Sequence, residues 1–343
     1  MTTPVRAGEV DEVWLELPDA PPIAGLRFRR FRGEEDYPAM VRVAQASRDA
    51  DGVEETLTVD GLASQYRHLT NSDPVRDVLI AEIDGDVVAY GRVEWVDISW
   101  GGRSYDSFCL MHPAHRRRGI GRAMLHANEV RLREIAATHD AVDPSWLGSF
   151  GWDTDAGNRA LLENEGYVVV RHFYDMLRPD LEDIDRPPLP PGVELRPASE
   201  QDFRRIFEAD VEAFRDHFGA VDGSEEALRR WTSDPTFDPS LLVIAWDGDE
   251  VAGGVWNRID TVDNERKGYQ RGWLDSVFTR RPWRRRGLAR ALIGESLALL
   301  RERGMAQAML GVDAENPQSA LQLYSSAGFR VKLSSAAYRK PLR

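Results

Sequence analysis

The chain has 343 residues, 42% hydrophobic and 29% charged, with a net charge of −13. That length accommodates about two domains, each with its own core, and the acidic balance argues against general nucleic-acid binding. No apolar run approaches the roughly 18 residues of a membrane helix; the single cysteine, Cys109, excludes an internal disulfide; and residues 1–6 lack the apolar core of a secretory signal, so the expected location is cytoplasmic.

After an extension of residues 1–23, an alternating strand over 26–31 leads through Glu34, Glu35 and Asp36 into a helix from Ala39. Apolar stretches at 78–83 and 87–93 flank Asp84-Gly85-Asp86, a hairpin signal. A fourth strand covers 107–111. It runs into His112-Pro113-Ala114-His115-Arg116-Arg117-Arg118-Gly119-Ile120-Gly121-Arg122 and an amphipathic helix carrying Ala123, Leu125, Ala127 and Val130. Another strand and a last helix end at Gly166-Tyr167. Residues 179–191, acidic and rich in proline, read as an extended linker.

The second unit repeats the first. A strand starts at Val193, and Ser199 with Asp202 forms a helix-start pattern. Asp247-Gly248-Asp249 lies between apolar strands, and residues 273–279 form the fourth strand. Arg281-Pro282-Trp283-Arg284-Arg285-Arg286-Gly287-Leu288-Ala289-Arg290 opens a helix with Leu292, Leu297 and Leu300, and Gly328-Phe329 matches Gly166-Tyr167. Gly119 and Gly287 are 168 residues apart, a domain duplication rather than a solenoid with its period of ~20–50 residues. The units are 24–178 and 192–343, each expected to be α/β with its own mixed, mostly antiparallel sheet flanked by helices.

Strand, glycine turn, helix is an anion-binding order. The first turn of a helix leaves backbone N–H groups unpartnered, and its dipole favours negative charge. Gly119, Gly121, Gly287 and Ala289 let a phosphate approach those amides, and Arg116–Arg118 and Arg284–Arg286 add positive charge. A Walker loop is excluded by the missing Gly-Lys-Ser/Thr. A dinucleotide fingerprint is disfavoured by the missing Gly-x-Gly-x-x-Gly.

Arg-x-x-Gly-x-Gly/Ala after a strand, with Asn316 and the Leu323-Tyr324-x-x-x-Gly328-Phe329 run near the end, resembles the GNAT (Gcn5-related N-acetyltransferase) family, twice over. The resemblance implies that acetyl-CoA is the donor. Its pyrophosphate would rest on Arg116, Arg117, Arg118, Gly119, Ile120, Gly121 and Arg122, or on Arg284, Arg285, Arg286, Gly287, Leu288, Ala289 and Arg290. Its pantetheine arm would lie along Cys109, Leu110 and Met111, or along Val277, Phe278 and Thr279, with Asn316 either bonding the arm or capping a helix.

Counting back four from the glycine gives Tyr324 in one half and Leu162 in the other. Tyr324 matches the family tyrosine that protonates the leaving thiolate; otherwise it packs beside Leu321 and Phe329. Leucine donates no proton, so the C-terminal half is expected to be catalytic and the N-terminal half structural. For the base that deprotonates the amine, Asp275 is the candidate, with Asp313 and Glu315 as rivals. His217 is the candidate substrate contact or base. Trp231, Trp256 and Trp273 read as core before they read as pocket wall. No residues have metal-ligand spacing, and Cys109 reads as a small buried hydrophobe. The expected activity is acetyl transfer to a small-molecule amine by a monomer or homodimer. An acyl-CoA-binding regulator and a protein amine acetyltransferase are the alternatives.

Overall fold

The structure, a computed structural model, describes residues 14–99, 101–219, 221–316 and 320–343. In the first half, β1 (Leu26–Arg30) is followed by α1 (Tyr37–Ala50), α2 (Val59–Arg67) and α3 (Pro74–Asp77). The first Asp-Gly turn then joins β2 (Val78–Ile83) to β3 (Asp86–Asp97). Asp84 and Gly85 take φ of 52° and 89°, as a tight hairpin turn matched to the strand twist requires. Next come β4 (Arg103–Met111), α4 (Ile120–Ala137), β5 (Ser145–Trp152), α5 (Ala156–Asn164) and β6 (Val168–Arg178).

The second half follows the same order: β7 (Val193–Leu195), α6 (Phe203–Phe214), α7 (Glu225–Thr232), β8 (Leu242–Asp247), β9 (Glu250–Arg258) and α8 (Thr261–Lys267). It ends with β10 (Arg271–Thr279), α9 (Leu288–Glu302), β11 (Gln307–Asp313), α10 (Ala320–Ser326) and β12 (Arg330–Pro341). In each half one helix packs on each face of the sheet. Cys109 and Met111 face α4 while Phe108 and Leu110 face α1; Val277 faces α9 while Phe278 faces α6.

The mixed sheet and flanking helices are as expected, but the halves do not keep separate sheets. The twelve strands of the described residues form one sheet, ordered β1-β2-β3-β4-β5-β12-β6-β11-β10-β9-β8-β7. Each half lends its last strand to the other. β12 lies between β5 and β6, and β6 pairs with β11. Ala336 and Tyr338 of β12 fill the first-half core beside Leu147, Leu162 and Tyr167. Met176 of β6 sits in the second-half core with Leu310 and Phe329. Periodicity marks a strand but not its neighbour, so this exchange is invisible to pattern.

The stretch after β6 is also not a free linker. Leu181 is 3% exposed, and with Ile184 and Leu189 it packs on the second-half core. Arg178, itself buried, donates to the carbonyls of Asp180, Asp183 and Ala327 at 2.8, 2.8 and 2.6 Å. We therefore expect fragments 1–178 and 179–343 to lack cooperative thermal unfolding when separate and to regain it on mixing. A fragment 1–178 that melts like the intact chain would show that the exchanged strand is dispensable.

Candidate functional site

Both glycine turns are built alike. Gly119 (φ 88°) and Gly287 (φ 85°) are the N-caps of α4 and α9, and neither helix start has a side-chain cap. Arg117 and Arg285 also lie in the left-handed region, at φ 62° and 59°. That conformation costs an ordinary residue about 1–2 kcal/mol, and strain repeated at the same step of two turns points to function. Alternating hands turn successive N–H groups into a concave anion nest at the positive end of a helix. Ile120 and Leu288 point into the core, so only their backbone serves the turn.

Four of the arginines expected at the phosphates are engaged elsewhere. Arg116 pairs with Asp51 at 2.6 Å and donates to Ser47 Oγ at 2.7 Å. Arg284 reaches Asp216 at 3.2 Å and the carbonyls of Ala213 and Thr279 at 3.0 Å each. These two lock the turn to the end of α1 or α6. Arg122 pairs with Glu165 and Arg290 with Asp185. Arg117, Arg118, Arg285 and Arg286 are exposed on the turns themselves.

Beside each turn two parallel strands part. β4 and β5 stay paired only to Ser107 and Ser149, and β10 and β11 only to Leu274 and Leu310. Beyond those points one edge of β4 or β10 has no strand partner, which leaves backbone groups for an extended amide-bearing ligand. In the first half the opening is a cavity of about 280 Å³ lined by Cys109, Met111, Arg117, Gly119, Gly121 and Leu162, among others. Leu110 faces away from it, toward α1. Cys109 is only partly buried, against the α4-side core and in the wall of this cavity, rather than the buried hydrophobe expected, and desolvation pushes its thiol up to about 12. The notch has thus survived in the half expected to be structural. In the second half Thr279 Oγ1, on the corresponding strand, is buried without a hydrogen-bond partner. Buried polar atoms are ordinarily hydrogen-bonded, so this orphaned hydroxyl is a candidate ligand contact. Phe278 points the other way, into the α6 core at 2% exposed.

The acid–base residues distinguish the halves. Tyr324 on α10 is 7% exposed, its ring edge-on to Phe329. Burial alone pushes its phenol up to about 12. Leu162 stands at its place in the first half, 1% exposed. Asn316 follows β11, its N–H bonded to the Asp313 carbonyl at 3.2 Å; the next three motif residues lie outside the described residues.

The carboxylates expected as base are engaged by arginines. Asp275 is clamped by Arg258 through two hydrogen bonds of 2.7 and 3.1 Å. Both rivals share Arg171, at 2.8 Å for Asp313 and 3.3 Å for Glu315. Each of these carboxylates is thus occupied by a guanidinium instead of standing open to an incoming amine. A fourth carboxylate, missed in the sequence, has no such partner among the described residues. Asp210 on α6 accepts a hydrogen bond from Ser276 Oγ at 2.5 Å, and desolvation pushes its pKa up to about 7. The sequence signal was an acid on the apolar stripe of Ile206, Ala209 and Ala213. Its first-half counterpart is Ala44, and that of Ser276 is Phe108.

Asp275 also marks a β-bulge. The β9–β10 register passes from Leu274↔Asn257 to Ser276↔Trp256, leaving Asp275 without a partner, whereas the β3–β4 ladder runs unbroken. His217 packs on Phe214 at 4.3 Å, and burial lowers its pKa. Trp231 stacks on Trp256 at 4.2 Å within the α6 core, and Trp273 lies under Arg258. Among the described residues no His, Cys, Asp and Glu gather as a metal site, and no helix is long and apolar enough to cross a membrane.

The model of the acetyltransferase (GNAT) family matches residues 43–145 and 203–329. The mycothiol acetyltransferase of Geodermatophilus obscurus is 29% identical over 307 residues, covering 88% of this chain and 93% of that protein. A GCN5-related N-acetyltransferase from Sphaerobacter thermophilus superposes with a TM-score of 0.70 at 26% identity, covering 96% and 98% of the two chains. A tandem GNAT protein from the clavulanic acid biosynthesis pathway gives 0.64 at 16% identity, covering 93% and 99%. The two-unit layout resembles that of mycothiol synthase.

Proposed function

The chain belongs to the GNAT acetyltransferase family, and on that premise we propose that its C-terminal half transfers acetyl from acetyl-CoA to a primary amine of a small molecule. The observation that carries this reading is the pairing of Asp210 with Ser276, in a half that also keeps the buried Tyr324, where the first half has Ala44, Phe108 and Leu162 instead. Asp210 takes the proton of the incoming ammonium, and the freed amine attacks the thioester carbon. The bulge at Asp275 turns a backbone N–H out of the ladder, toward the oxyanion of the tetrahedral intermediate. As the carbon–sulfur bond breaks, Tyr324 protonates the departing thiolate, and the phenolate regains a proton as the former amine nitrogen sheds its extra one, leaving an acetamide and free thiol. Relatives named for mycothiol support a small acceptor over a protein one, and acetyl-CoA as donor fits a cytoplasmic reaction.

Thiol release from acetyl-CoA across a panel of small amines tests the reading. Turnover with at least one amine is expected. Turnover only with protein lysines, or none at all, would favour the protein-modifying or regulatory alternative. Both turns keep their anion nests, so CoA titrated by calorimetry should saturate at two per chain. Gly119→Val, which forces a side chain onto φ 88°, should leave one. A stoichiometry of one for the unaltered chain would confine donor binding to a single half.

A further inference from the structure

The exchanged strands bring opposite charges to matching steps of the two halves. Leu147-Gly148 on β5 and Leu310-Gly311 on β11 are counterparts, each leucine in the core of its half. Gly148 pairs with Asp106 of β4 on one side and with Arg339 of β12 on the other, and the Arg339 charge favours ionised Asp106. Gly311 instead pairs with Asp175 of β6. The first half thus receives an arginine beside its acid, and the second half receives an acid.

Among the described residues Asp175 forms no ion pair and no hydrogen bond. Desolvation, and then the like charge of Glu55 in the loop between α1 and α2, push its pKa up to about 6, and no cation pulls it back. The arginines that could answer it are taken: Arg258 clamps Asp275, Arg171 holds Asp313 and Glu315, and Arg48 reaches Glu55 at 3.4 Å. Burying part of a carboxylate without a countercharge costs stability, and such groups gather at functional sites.

Its place in the sheet is next to the proposed chemistry. Met176 lies in the second-half core, so alternation turns Asp175 and its partner Gly311 to the opposite, α6 face. The floor there is open. Gly311 is exposed, and a Cβ added to it would find only Asp175 Oδ1 within 4 Å, at 3.9 Å. At Gly148 the same Cβ would strike Asp106 Oδ1 at 1.8 Å. Leu274 and Leu310 are the last paired residues of β10 and β11, and Ser276, bonded to Asp210, follows on the α6 face. Asp175 therefore stands two strand spacings, on the order of 10 Å, from the Asp210–Ser276 pair, across a bare glycine. Asp175 also lines a cavity of about 530 Å³ walled further by Phe150, Phe173 and Phe218, room enough for the rest of a small molecule.

We propose that Asp175, a residue of the first half, sets the acceptor specificity of the second: it holds a second cationic group of the substrate while the reacting amine meets Asp210. The acceptor class is then a diamine or longer polyamine, bound at its far end by a charge-assisted hydrogen bond. The inference rests on the catalytic reading of the C-terminal half. It makes that half's acceptor site incomplete without the strand lent by the other.

The test follows thiol release by the full chain with α,ω-diaminoalkanes of increasing length, each beside the amino alcohol of the same length as its singly charged isostere. At the best length kcat/KM for the diamine should exceed that for the amino alcohol by about tenfold or more, chiefly through KM. In Asp175→Asn the two substrates should become equal, Asp175→Glu should restore a preference for the diamine, and the first-half control Asp106→Asn should keep it. The Tm of Asp175→Asn should be equal or higher, because an uncompensated carboxylate has been removed. Equal rates for both substrates in the unaltered chain, or a preference that survives in Asp175→Asn, would overturn the proposal. A lowered Tm with the preference intact would make Asp175 structural and overturn it equally. Turnover of no amine at all would sink the catalytic reading instead. Calorimetric titration with the same pairs then decides for Asp175 separately: tighter binding of the diamine, lost in Asp175→Asn, supports its role, and equal binding refutes it.

Discussion

Tyr324→Phe lowers kcat by about two to three orders of magnitude while the KM for acetyl-CoA stays nearly constant. General acid catalysis contributes about 10²–10⁴-fold, and in the proposed mechanism the phenol acts only as the thiolate forms, so the loss should fall on turnover rather than donor binding. Burial pushes the phenol up to about 12, so it stays protonated throughout the neutral range and is a donor, not a base. The fold loses little, because burial is the sole cause of that shift and no hydrogen bond to the hydroxyl contributes to it. The ring remains against Phe329. A melting temperature within a few degrees of the wild type, beside the collapsed kcat, is the expected signature. An unchanged kcat would remove Tyr324 from the chemistry.

Asp210→Asn has the second large effect, an expected fall in kcat/KM of about 10²–10⁴-fold. The wild-type profile should rise with pH and level off near 7, where Asp210 ionises, and the variant should lose that inflection. The titration of the amine itself is common to both proteins and cancels in the comparison. Ser276→Ala removes the hydroxyl that steadies the ionised carboxylate, so the inflection should move to higher pH. Stability runs the other way. The folded-state pKa of Asp210 lies above its unfolded value, so the folded chain holds the proton more tightly. Its contribution to stability is intact below about pH 4 and is lost as pH rises through about 7. Above pH 7 the asparagine variant should therefore be the more stable and the less active of the two. A variant that kept the wild-type pH profile would return the role of base to another group.

What the sequence by itself determined about this protein is local. The duplication, the Asp-Gly hairpins, the two anion-binding turns and the contrast between Tyr324 and Leu162 each rest on a few neighbouring residues. Their backbone preferences hold in any fold that accepts them. Even the strained step at Arg117 and Arg285 follows from the turn that Gly119 and Gly287 close. What only the tertiary structure decided are the pairings. Arg258 takes Asp275, Arg171 takes Asp313, and Arg116 and Arg284 tie turns to helices instead of awaiting phosphate. Asp210 meets Ser276 across 66 residues, and the last strand of each half crosses into the other. A carboxylate has the same sequence signature whether a guanidinium neutralises it or burial keeps it a base. The difference is set by which groups the packed chain brings within a few ångströms and by how much water it leaves between them.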